Sequence, residues 1–248
     1  MQILTHTKIK PQSFDLRIQQ SLSKLKNSAT KWDTVERDQR TSDQYLGSAD
    51  RSFQRSEFPL RRASFDTPSR DSSWEGRDID RAFRKGDREL GFSTNNLKRA
   101  QNGLQQLDGD LDRERANLTR LASEMERSGD SRAEQIKGAI ASLNQSDTGF
   151  GQVTRSWKSA ESAGRFTDSE IWRAQGDIRR IASDRPGLNV SGYARRVSRS
   201  LDSIQRDLRQ MDGHLRRSQT PGKTAETSLD QAIATLQGAL NSGNELSN

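Results

Sequence analysis

The sequence predicts an all-α protein, an elongated multi-helix bundle or coiled coil of about six helices with no sheet, and three observations carry that expectation. Apolar residues recur every seven positions without a slip: Phe83, Leu90, Leu97, Leu104, Leu111, Leu118 and Met125. Between them fall Ile79, Gly86, Ser93, Ala100, Leu107, Glu114 and Leu121. The alternating 3-4 spacing holds one stripe of a helix against a neighbouring helix. Second, only 29% of the 248 residues are hydrophobic and 6% aromatic, too few for a thick core but enough for narrow seams. Such polarity also fits disorder; the sustained seam decides for packing, because random placement would not keep scarce apolar residues on one face. Third, Ser or Thr is followed three residues later by Glu at Ser72/Glu75, Ser131/Glu134 and Thr167/Glu170, the capping-box pattern of a helix start.

Taken in order, residues 1–12 are polar and read as a flexible tail. Residues 13–56 read as an amphipathic helix, with Ile18, Leu22, Leu25, Ala29 and Trp32 at 4-3-4-3 spacing and a continuation through Leu46, Ala49 and Phe53. Two prolines, several serines and no period make 57–72 a linker. Residues 73–221 form the long helical-bundle domain, with helices expected near 73–128, 131–163, 168–184 and 190–218, the last after Arg185-Pro186-Gly187. A C-terminal helix near 224–243 and a tail complete 222–248, after a break at Pro221-Gly222. Gly91 with Ser93 and Gly149 with Gly151 weaken the long helices by about 1 kcal/mol per glycine. The heptad phase survives both places, so continuity is expected, and Phe92 then needs a neighbour off the seam, which favours a multi-helix bundle. Leu104–Leu111 and Leu208–Leu215 share a spacing and a heptad phase. Duplication and chance patterning explain this equally well.

Two surfaces stand out as candidate binding sites. The first is the helix-association seam of Phe83, Leu90, Leu97, Leu104, Leu107, Leu111, Leu118 and Leu121, whose small residues Gly86, Ser93 and Ala100 admit close approach. It serves either a partner helix or packing inside the chain. Glu114 on this seam is expected to be paired or near solvent, since a lone buried charge is costly. The second is a basic face. With Val190, Ala194, Val197, Leu201, Ile204, Leu208, Met211 and Leu215 as the seam of its helix, Arg195, Arg196, Arg199, Arg206, Arg209, Arg216 and Arg217 fall on the opposite side, interrupted only by Asp202. Arginine forks suit phosphates and carboxylates. No aromatic residue interleaves with them and the net charge is only +7, so a solvated or acid-paired face is the plainer reading.

Other chemistry lacks its parts. The run Asp108 to Glu114 superficially suggests a calcium loop, but Arg113 replaces the turn glycine and Thr119 the bidentate glutamate. As helix surface, these acids alternate around the helix and could pair with the arginine face of 190–218. His6 and His214 are far apart in sequence, without metal-site spacing. There is no GxSxG, GxxxxGK[ST] or GxGxxG motif, and no cysteine. No catalytic residue, cofactor, metal or small-molecule substrate is therefore expected. Trp32, Trp74, Trp157 and Trp172, one to a helix, read as core anchors. Arg61-Arg62-Ala63-Ser64 superficially matches a basophilic kinase target.

No apolar run approaches the ~18 residues of a spanning helix, so the chain reads as soluble. Cytoplasmic is only the default location, because a mature secreted chain would look the same. The functional expectation is a non-catalytic helical scaffold, adaptor or structural protein associating with protein partners or itself. The alternative is an anion-binding helical protein that offers its arginine face to nucleic acid or another phosphate-rich surface.

Overall fold

The computed structural model describes residues 11–65, 72–183 and 189–245, which form four long helices and one short one: α1 (Pro11–Gln54), α2 (Glu57–Ser64), α3 (Ser73–Ser128), α4 (Ala133–Ser183) and α5 (Val190–Glu245). The fold is all-α helical-bundle packing, with no strand among the described residues. Of the expected tail, residues 1–10 and with them His6 lie outside the described residues, and α1 begins at Pro11, where a missing amide costs nothing.

Six expected helices become four long ones because two expected breaks are helical. Thr167 carries a capping pattern but is buried inside α4, and its hydroxyl donates to the Ala163 carbonyl one turn back at 3.2 Å. Pro221 and Gly222 lie inside α5. Proline removes one amide there and costs about 3 kcal/mol in a free helix. Packing holds the helix through the site: a Cβ on Gly222 would come within 3.1 Å of the Trp32 indole. The expected break at 185–187 lies outside the described residues. The expected linker 57–72 contains α2, which buries Pro59, Leu60 and Ala63; residues 66–71 are outside the described set.

Helix ends follow local chemistry. Gly129, at φ 76°, closes α3, where its amide bonds the Glu126 carbonyl at 3.0 Å and the Asp130 amide the Met125 carbonyl at 2.9 Å. Asp130, rather than the expected Ser131, opens the next helix, its carboxylate accepting from the Arg132 amide at 3.0 Å. Asn189 caps α5 by accepting from the Gly192 amide at 2.8 Å.

The chain forms two compact units. The first takes residues 1–35, 101–154 and 219–248, the second 36–100 and 155–218. In the first, Ile18, Leu25 and Trp32 of α1 meet the buried seam of α3, with Ile136, Phe150 and Val153 of α4 and Leu229 and Leu236 of α5. The Trp32 and Phe150 rings lie 4.7 Å apart. Arg132, buried where α3 turns into α4, donates to Asp130 at 3.0 and 2.8 Å, to Asp15 of α1, and packs against Gly243 of α5, where a Cβ would overlap its guanidinium. These hydrogen bonds hold the Asp130 carboxyl below the usual range.

In the second unit, the core joins Leu46 and Phe53 of α1, Phe83, Leu90 and Leu97 of α3, Trp157 and Ile178 of α4, and the seam Val197 to Leu215 of α5. The Trp157 indole donates to Ser218 at 2.9 Å, and Gln39 donates to the same hydroxyl at 3.3 Å, so one buried serine ties three helices. Phe53 lies over Gly86, where an added Cβ would come within 2.6 Å of its ring. Further along the seam, the Ser93 hydroxyl donates to the Ser42 carbonyl at 2.9 Å. The small residues of the seam thus do admit a close partner, and the partner is the chain's own α1.

Candidate anion-binding interface

The eight seam residues Phe83, Leu90, Leu97, Leu104, Leu107, Leu111, Leu118 and Leu121 are all buried, none more than 3% exposed. Of the two readings of this stripe, a partner helix or packing inside the chain, their burial matches the second. Glu114 is buried on the same seam and accepts from Lys24 at 2.8 Å and Asn117 at 3.2 Å. Its partner is a lysine of α1, whose alkyl stem lets the ammonium stay in water.

The seven arginines of the basic face are all exposed along α5, within the second unit. Arg196 binds Asp177 of α4 at 2.7 Å and lies over the Tyr193 ring at 4.5 Å; Arg216 pairs with Asp212 one turn away at 2.9 Å. Arg195, Arg199, Arg206, Arg209 and Arg217 have no carboxylate within salt-bridge distance among the described residues. Three of these fold back along the helix, Arg199 to the Arg195 carbonyl at 3.4 Å, Arg209 to that of Gln205 at 3.2 Å and Arg217 to that of Gly213 at 3.0 Å. Such hydrogen bonds leave most of each guanidinium's five donors unused.

The acids of 108–114 have partners of their own in the first unit. Asp110 pairs with Lys31 and Asp112 with Arg115. Asp108 shares a hydrogen bond with Asp147, and burial together with that second carboxylate pushes its carboxyl up to about 6. Within the second unit, Asp43 of α1 is also raised to about 6, mainly by burial and then by Asp212, with Arg216 opposing. Burial raises Asp50 as well, although Arg209 pulls it down. His214, half-buried, is lowered from 6.5 by burial and by Arg217.

Several exposed aromatic residues of this unit are not marked by the sequence pattern. Trp32 and Trp157 are core anchors as expected, but Trp74 and Trp172 are exposed, which corrects the expectation of one anchor per helix. Phe58 and Phe65 project from α2 and its C-terminal end. The spacing Phe58, Arg61, Arg62, Phe65 is that of one helical face, and it is present in the sequence but hidden by the prolines around it. Ser64, in the kinase-like tetrapeptide, donates to the Leu60 carbonyl at 2.8 Å within α2.

Among the described residues, no helix is long and apolar enough to cross a membrane. The chain matches no protein-family model, and no curated protein or solved structure is detectably similar to it.

Proposed function

We propose that the chain is a non-catalytic helical binding protein whose second unit contacts a polyanion through the arginine face of α5. The observation that carries this is the set of five exposed arginines that form no salt bridge among the described residues. Charge distribution supports it. Summed over the sequence, the second unit carries +8 and the first −1, together the +7 of the chain, so the whole basic excess belongs to the segments that bear this face. The leucine seam is packed within the chain, so this reading rests on the arginine face rather than on that stripe.

Binding of this kind releases counterions and therefore weakens steeply with salt. Replacing Arg195, Arg199, Arg206 and Arg209 by Gln should weaken binding to a nucleic acid or heparin and flatten the salt dependence by about one unit for each phosphate no longer neutralised. Titration of a labelled polyanion at several salt concentrations reads both effects. Identical curves for the parent and the fourfold variant would reject the assignment.

A further inference from the structure

The second unit also holds an open cleft of about 340 Å³ beside α2, lined by Phe58 and Pro59 of α2, Arg55 just before it, and Asp78, Arg81 and Lys85 of α3. The Phe58 ring is 67% exposed. It is nonetheless held in place: the Arg62 guanidinium lies 5.7 Å from its centroid, and Arg62 is tethered at 3.3 Å by Glu75, which is buried. Asp78 engages Arg81 at 3.4 Å and Glu89 approaches Lys85 at 3.8 Å, while Arg55 has no ion pair among the described residues. The cleft therefore offers an aromatic wall next to a net positive rim.

We infer that this cleft is a subsite for one nucleotide of a single-stranded nucleic acid, with the base against Phe58 and its phosphate at Arg55 and Lys85. The inference rests on the polyanion reading of α5 and supplies an open ring on which a base can stack, since Tyr193 on the arginine face lies against Arg196 and Arg180. One short helix joins the two surfaces. Glu57, at the start of α2, accepts from Gln205 of α5 at 2.7 Å, and Phe58, the next residue, borders the cleft. Phe65, the C-cap residue of α2, is 83% exposed and offers a second ring to a following base.

Two alternatives fit less well. A duplex keeps its base faces stacked inside and gives Phe58 nothing to cover. An anionic bilayer would use a convex apolar face, whereas α2 turns Pro59, Leu60 and Ala63 inward.

The test measures binding of a labelled oligothymidylate, a duplex of equal length, heparin and anionic phospholipid vesicles at one fixed salt concentration. Phe58→Ala and Arg55→Gln/Lys85→Gln are compared with the parent chain, with circular dichroism to verify folding. Phe58→Ala should weaken single-strand binding about tenfold and leave heparin binding unchanged. The rim variant should weaken the single strand more than heparin, and Phe58→Tyr, which keeps a ring, should restore most of the affinity. Equal single-strand affinity for Phe58→Ala and the parent, with heparin still bound, overturns the subsite while the arginine reading stands. Binding of no polyanion by the parent overturns both. Vesicle binding that depends on Phe58, without single-strand binding, overturns the subsite in favour of a membrane surface.

Discussion

The two units of this chain are built from the same four long helices, yet they spend their charges differently. In the first unit, ion pairs run between helices: Arg17 to Glu124, Lys24 to Glu114, Lys31 to Asp110, Arg115 to Asp147, and Arg132 to Asp15. In the second, most pairs stay on one helix, as with Arg40 and Glu36, Arg84 and Asp80, Arg165 and Glu161, and Arg216 and Asp212. Acids that do reach a neighbour there often meet neutral groups: Glu89 accepts from Ser52 at 2.6 Å, Glu170 from Ser200 at 3.1 Å, and Glu57 from Gln205. Arginines are left over as a result. Of eight exposed large hydrophobic residues among those described, only Leu16 belongs to the first unit; the seven aromatics Tyr45, Phe58, Phe65, Trp74, Phe92, Phe166 and Trp172 belong to the second. One unit uses its polar chemistry for cohesion, and the other presents it to solvent.

The largest expected effect comes from the seam beneath the first unit's ion pairs. Leu104→Asp combined with Leu111→Asp places two carboxylates among buried side chains and should cost well over ~5 kcal/mol, enough to unfold a typical domain. Circular dichroism should show a loss of helix, while Gln105→Asp on the exposed side stays within ~0.5 kcal/mol of the parent. A folded double variant would show that the seam does not hold the unit.

Next in size is the clasp. Arg132→Ala leaves Asp15 and Asp130 without their shared guanidinium and should cost about 3 kcal/mol in urea unfolding. Arg199→Ala, on the open face, should change stability by less than ~0.5 kcal/mol. Similar losses at both positions would erase the contrast between the units.

A smaller effect follows pH. The raised Asp43 carboxyl binds its proton more tightly in the folded chain, so its contribution to stability is greatest below 3.8 and is lost as pH rises through about 6. Asp108 acts in the same direction from the first unit. Asp43→Asn should raise the melting temperature at pH 7.5 by about 2 °C, an effect of roughly 1 kcal/mol after allowance for partial exposure, and should do less at pH 5. A gain independent of pH would assign the effect to something other than ionisation.

The smallest test compares two glycines of α3. Gly91→Ala meets nothing within 4 Å and should add up to ~1 kcal/mol through helix propensity, whereas Gly86→Ala drives a methyl into the Phe53 ring and should destabilise by ~1–3 kcal/mol. Thermal melts that moved in the same direction would disprove the packing account of Gly86.

The helical character, the seam, the starts of α3 and α5 and the outward direction of the α5 arginines were legible in the sequence because each depends on residues a few positions apart. Periodicity assigns a side chain to a face whatever lies opposite. Phe92 illustrates the limit: its position off the seam was readable, but its neighbour Tyr45, with ring centroids 5.2 Å apart, is 47 residues away in sequence.

What the tertiary structure decided is which local signals win and which faces find partners. A capping pattern at Thr167 and a breaker at Pro221 read as helix ends by local chemistry, yet both lie within helices packed on other segments. The seam at Gly86 and Ser93 receives α1, and Asp110, Asp112 and Glu114 find their cations at Lys31, Arg115 and Lys24 within the first unit. Local spacing fixes the direction a side chain takes, whereas burial and pairing depend on distant segments meeting in three dimensions. Sequence period alone carries no record of those meetings.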